Sequence, residues 1–195
     1  MWPWGHLGFA YLLYSYSTHR RFDRAPQPAP ALAFVFGSQL PDLIDKPLAW
    51  WLGVLPSGRS LAHSLFFAAV VISLAYVLAH RVDRVELATA FTVGHLSHLL
   101  ADIPPRALLG YPRGTEFLLW PLLDQHRFEH DPHVFEVPGA LEVVVLPLVS
   151  PTVYGLAQFG LFVAAALVWY RDGMPGLEYV PFVSASGRVH REGGG

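Results

Sequence analysis

Gly94-His95-Leu96-Ser97-His98-Leu99-Leu100-Ala101-Asp102 carries the sharpest chemical content in the chain. On a helix, His98 and Asp102 stand four residues apart and share a face. His95 lies one turn earlier, within about 60° of that face at 3.6 residues per turn. Imidazole and carboxylate together suit zinc or a similar divalent ion. Taken alone, the pair better describes a buried His–Asp hydrogen bond. Its companions decide between the two.

Pro41-Asp42-Leu43-Ile44-Asp45-Lys46-Pro47 closes an apolar stretch. Aspartate at a helix C-terminus opposes the macrodipole, and a cation at that end supplies a reason for it. Asp42 is therefore read as a metal ligand. Asp45 is balanced between a role at the centre and that of a hydrogen-bonding turn residue. Arg59-Ser60-Leu61-Ala62-His63-Ser64 opens another apolar run. Ser60 is a candidate N-cap, His63 a ligand, and Ser64 a cap or packing residue. Arg59 suits an anionic group such as phosphate, or marks a membrane edge. Trp2-Pro3-Trp4-Gly5-His6 adds a fourth imidazole near the N-terminus. A second His-rich stretch, Asp124 to His133, holds His126, His130 and His133 in a spacing that matches no ligand signature, and reads as a solvated loop. His19, His80 and His190 receive structural or solvent roles.

The elements that must position these residues follow from composition. Of 195 residues, 53% are hydrophobic and 14% charged, against roughly 25% charged in an ordinary soluble domain. That excludes a disordered chain and argues against an ordinary soluble globule. A net charge of −2 gives no basic field, so no nucleic-acid partner is expected. With no cysteine there is no disulfide scaffold, thiolate zinc site or thiol nucleophile. Leu61–Ala79 and Val153–Tyr170 are long enough to cross a bilayer as helices. Trp4–Ser17, Ala29–Leu40 and Glu86–Ala101 are shorter apolar runs. Ala140–Val149, broken by Pro147, reads as a lead-in to the last span. The arginines near the N-terminus follow its apolar run, which argues against a cleavable signal.

Helices over 4–18, 30–42, 61–80 and 86–102 with short links would alternate in direction. His6, Asp42, Asp45, His63, His95, His98 and Asp102 then gather at one end of the bundle. Arg20, Arg21, Arg24, Arg81 and Arg84 fall at the other. Polar groups collected at one end of an apolar bundle are costly unless they pair or bind something. The expectation is an all-α, multi-span transmembrane bundle of about 4–6 helices with a His/Asp site at one end. Residues 1–172 form a single membrane-embedded domain with a long polar loop at 103–138, and 173–195 a mobile C-terminal tail.

Gly5-His6, Pro41-Asp42, Asp45, Pro47, Arg59, His63-Ser64, Gly94, Leu96-Ser97-His98, Leu100-Ala101-Asp102 and Leu118-Leu119-Trp120-Pro121 occur in an order that resembles the YdjM-like family of membrane-bound, metal-dependent hydrolases. The resemblance spans roughly residues 1–125 and implies a multi-span inner (plasma) membrane protein with a metal site. A fainter similarity links the motifs to helical zinc-dependent phospholipases C. Carried over, that similarity makes Asp42 a bridge between two ions, with His63, His98 and Asp102 on one and His6 on the other. Three positions depart from the family pattern. Gly58 stands where a histidine often precedes the arginine, Lys46 replaces a histidine, and His95 replaces an aromatic residue. His95 then compensates in the metal shell, or the shell is incomplete.

The leading functional expectation is a membrane-bound hydrolase holding one or two zinc ions. Metal-activated water would attack a phosphoester or related ester, including one borne by a lipid. Asp45 would be the general base or would support a ligand. The alternative is a non-catalytic membrane scaffold or regulator with a structural His/Asp metal site. A metal transporter ranks last, because the span centres are mostly apolar. The lipid bilayer is the expected partner. The arginine distribution, including Arg171, favours a site facing away from the cytoplasm.

Overall fold

The computed structural model describes residues 2–104, 107, 114–123 and 151–179. Among these, five α-helices and no strand are found. They are α1 (Pro3–Phe22), α2 (Pro28–Lys46), α3 (Leu65–Arg81), α4 (Val85–Ala101) and α5 (Pro151–Arg171). A wide π-helical turn, Pro47–Trp51, extends α2. Short 3-10 turns lie at Glu116–Leu119 and Leu177–Tyr179. Proline opens α1 and α2, where its missing N–H costs nothing. Ser64 caps α3 by accepting the Phe67 N–H.

The expected elements are present with shifted ends. The run Leu61–Ala79 is helical only from Leu65, because residues 57–64 form a loop whose amides bond elsewhere. The cap of α3 is Ser64 rather than Ser60. The second helix continues through Pro41 to Lys46, so Asp42 and Asp45 lie in its last turns. Of the expected tail, residues 173–179 are described and end in the 3-10 turn Leu177–Tyr179, and the remainder lies outside the described residues. His126, His130, His133, His190 and the lead-in at Ala140–Val149 lie outside the described residues.

The outer faces of α3 and α5 are apolar, unlike those of a water-soluble bundle. Leu65, Phe66, Val70, Leu74, Val77 and Leu78 of α3 are exposed, as are Leu156, Phe159, Val163 and Leu167 of α5. The interior holds an apolar cluster of Ala10, Tyr11, Tyr14, Phe34, Ala90 and Ala165, and with it His6, Asp42, Asp45, His63, His95, His98, Asp102 and Gln158. Water would penalise that apolar exterior and a bilayer would not. Val153–Arg171 is long and apolar enough to cross a membrane, and only 11% of its 18-residue window is buried. That fraction is unlike the core helix of a soluble protein. Leu65–Arg81 is equally apolar but spans 17 residues. Among the described residues one helix is thus a clear candidate span, where the sequence reading expected several.

Glycine sets the spacing of the bundle. A Cβ on Gly94 would lie 2.3 Å from the Phe34 carbonyl oxygen, and one on Gly37 would lie 2.4 Å from that of Phe91. Only the absence of side chains lets α2 and α4 approach so closely, the device membrane helices use to pack. The approach places Ser38 of α2 beside His98 of α4. Helix α5 runs parallel to α1. Gly5 packs on Gln158, Gly8 on Phe162, and His19 reaches Asp172.

That last contact closes the end of the bundle opposite the histidine-rich one. Tyr11 Oη, Ser15 Oγ and His19 Nε2 lie one turn apart on α1 and stand 2.8, 2.6 and 2.8 Å from the Asp172 carboxylate. Burial raises the Asp172 pKa, but bonds from Ser15, His19 and Tyr11 outweigh it and hold the carboxyl below its ordinary value. A folded-state value below the unfolded one means stability that is full above the unfolded pKa, near about 4, and lost as pH falls through the folded value. The wild type should therefore lose more thermal stability than Asp172→Asn as pH falls from about 5 to 3. Melting curves of the detergent-solubilised proteins check this. Parallel acid-side declines would contradict it.

Candidate metal centre

Alternating helices bring the two ends of α2 and α4, the start of α1 and the loop before α3 to one place. His6, Asp42, His63, His98 and Asp102 converge there, all buried. The agreement with the up-down reading is direct, since those five residues come from four separate segments.

Two hydrogen bonds aim the imidazoles. His98 Nδ1 lies 2.7 Å from the Ser38 carbonyl oxygen. A carbonyl only accepts, so Nδ1 carries the proton and Nε2 presents its lone pair. His63 Nδ1 lies 2.8 Å from Asp45 Oδ2. A carboxylate likewise only accepts, which again leaves Nε2 facing inward. The two Nε2 atoms are 3.1 Å apart. Two lone pairs at that distance repel unless a proton or a cation lies between them.

Carboxylates complete the convergence. Asp42 Oδ1 is 3.5 Å from His63 Nε2 and 3.8 Å from His98 Nε2. Asp102 Oδ2 is 3.3 Å from His63 Nε2 and 3.8 Å from His98 Nε2. Asp102 Oδ1 turns the other way, 3.2 Å from His6 Nε2. Neighbouring ligand atoms around a tetrahedral zinc lie about 3.3 Å apart, given bonds near 2.0–2.2 Å. The printed separations cluster about that edge length. Asp42 Oδ1 and both His6 ring nitrogens are buried without a hydrogen bond, a costly state that a ligated ion relieves. Two overlapping groups could hold an ion, Asp42–His63–His98 and His6–His98–Asp102, and the single lone pair of His98, on Nε2, serves one ion at a time. His98 belongs to both. The carboxylate lying between His6 and His63 is Asp102, where the resemblance had pointed to Asp42.

The electrostatics of the two groups outside the helices agree. Burial opposes charge on His63, but Asp102, Asp42 and Asp45 outweigh it and raise its pKa to about 10. Burial likewise pushes Asp102 up, while the Arg59 guanidinium, His6 and His63 hold it well below the usual carboxylate range.

Two expected site residues take other places. His95 lies outside both groups, with its ring near Phe91 and Phe67 at 5.8 and 6.3 Å between centroids. It faces Phe67 of α3, and both of its ring nitrogens are buried without a hydrogen bond. Asp45 turns its carboxylate to the loop before α3. Oδ2 accepts the Ser60 and His63 amides and His63 Nδ1, and Oδ1 accepts the Ala62 amide. It folds the 60–63 loop and orients His63, and it does not reach into the centre as a base would.

Arg59 and Lys46 flank the cluster. Arg59 Nε and Nη2 lie 3.1 and 3.2 Å from the two Asp102 oxygens. Lys46 Nζ lies 2.5 Å from Asp42 Oδ2, leaving Oδ1 for the interior. Phe117 covers His63 edge-on at 6.1 Å between centroids. Sequence reading had passed over Phe117, although it sits just before the Leu118-Leu119-Trp120-Pro121 motif.

A family model described as YdjM inner membrane protein matches residues 1–173. The chain belongs to the YdjM family. No curated protein and no solved structure matches it. The match covers all five helices, so the buried His/Asp cluster lies wholly within the part of this YdjM member that the family defines.

Proposed function

We propose that this YdjM member is a membrane-bound, metal-dependent hydrolase of phosphoesters or related esters. The observation that carries the reading is the pair of Nε2 atoms 3.1 Å apart, each fixed as an acceptor by its own Nδ1 bond and ringed by two carboxylates. His63, His98, Asp42 and Asp102 would hold the ion, zinc being the one that suits this donor set, and His6 would extend the site through Asp102. Such an ion supplies Lewis acidity and lowers the pKa of water toward neutrality.

The chain's own residues do the rest. Ser38 and Asp45 fix the tautomers of His98 and His63. Arg59, at the edge of the cluster, offers donors to the anionic oxygens of a phosphoester. In the reaction, water oxygen bonds to phosphorus and releases a proton to solvent, the ester P–O bond breaks, and the leaving oxygen takes a proton from solvent. The arginines at the far end favour a centre facing away from the cytoplasm.

A second reading has one observation in its favour. All five ligand side chains are buried and two cations close over the carboxylates, as in a structural metal centre. The test is hydrolysis of a p-nitrophenyl phosphodiester by the detergent-purified chain. Activity that is lost to a chelator and restored by zinc supports the hydrolase. Full metal loading without turnover of this or other phosphoesters moves the assignment to the structural centre.

A further inference from the structure

The mouth of the cluster is cationic and its surroundings are apolar. Lys46 is about a quarter exposed and the Arg59 side chain is 44% exposed. Each is paired to a carboxylate of the centre and is partly exposed. Trp50 ties them together. Lys46 Nζ stands 5.7 Å over its ring, and Gly58, next to Arg59, packs against the same ring so closely that a Cβ would lie 3.3 Å away.

The segment that carries Trp50 projects from the bundle. Trp51 is 81% exposed, and Trp50, Leu52 and Val54 are exposed beside it. An open groove runs along the segment, lined by Trp50, Val54, Pro56 and Ser57. Ser57 also accepts the Arg59 amide, so the groove adjoins the loop that presents the guanidinium. Trp2 and Trp4, stacked at 4.9 Å, are exposed near His6 at this same end. Exposed tryptophans at the end of an apolar bundle belong at the headgroup level of a bilayer.

Resting on the hydrolase reading, we propose that the molecule presented to this centre is a phosphate-bearing membrane lipid. Arg59 and Lys46 grip its phosphate. The Pro47–Leu55 segment lies in the headgroup layer and takes the glycerol and upper chains into the groove. Charge complementarity selects the phosphate, and the projecting tryptophans select a bilayer source over a soluble one.

Native mass spectrometry of the detergent-purified full chain tests this, with phosphatidylglycerol, diacylglycerol and inorganic phosphate as probes. Phosphatidylglycerol should be retained about tenfold more than diacylglycerol. Inorganic phosphate in excess should not displace it. Arg59→Gln should lower retention by about tenfold, with Arg59→Lys between the two. Trp51→Ser, at a side chain that touches solvent, should lower it severalfold without changing the melting temperature. Should Arg59→Gln fail to fold, Lys46→Gln and Trp51→Ser carry the same test.

Equal retention of the two lipids, or no loss in any of the three variants, would overturn the proposal. Displacement by inorganic phosphate, with Trp51→Ser silent, would overturn it in favour of a soluble anion. Metal content of the same samples separates this proposal from the reading beneath it. Selective lipid retention by a chain that takes up no metal would sink the hydrolase while leaving the lipid site standing.

Discussion

His98→Ala is expected to abolish metal binding outright, whereas His6→Ala should leave at least one ion bound. The difference follows from geometry. His98 is common to both candidate groups, while His6 belongs to one. Losing His98 removes the Nε2 that faces His63 at 3.1 Å and frees the Ser38 carbonyl it engages. Removing one ligand of three or four typically lowers affinity by several orders of magnitude, so the alanine variant should hold below about a tenth of the wild-type metal. Hydrolysis should fall with it. The buried cavity left by the imidazole also costs about 2–4 kcal/mol of stability. Equal metal loss in the two variants would show that the groups act as a single indivisible site.

Asp45 is the second position of large effect. Its carboxylate accepts three backbone amides and the His63 imidazole at 2.7–3.2 Å, all of them buried. Asp45→Ala strands four donors at once and should cost about 3–5 kcal/mol, visible as a collapse of the thermal melt. Asp45→Asn keeps the volume and one acceptor oxygen. It should fold, and bind metal about 10- to 100-fold more weakly because His63 is no longer held with Nε2 inward. A general base would behave differently. Its amide variant would keep the metal and lose turnover alone. Native metal affinity with abolished turnover in Asp45→Asn would therefore return Asp45 to the role of base.

What the sequence made legible was the gathering of the site. Four apolar runs joined by short links must alternate, and alternation alone puts His6, Asp42, His63, His98 and Asp102 together. What stayed hidden depends on how close the helices come. The ring nitrogens of His95 were counted as ligands because only its helical angle was in view. The Gly37 and Gly94 contacts set the α2–α4 spacing that turns His98 toward Ser38 and leaves His95 among Phe91 and Phe67. Asp45 could not be told from a base, because its partners are amides of a loop fifteen to eighteen residues away. Backbone donors leave no mark in composition. The Asp172 lock required knowing that α5 lies parallel to α1, which no short link dictates.

The central claim is that the buried His/Asp cluster is a metal centre, and equilibrium dialysis against zinc followed by elemental analysis addresses it most directly. Wild-type chain in detergent should retain about one or two zinc ions after a metal-free wash, and His98→Ala about none. A folded wild type that takes up no zinc, manganese or other divalent ion would contradict the account. His63 would then be a protonated imidazole held by three carboxylates, and the cluster a polar clasp between helices.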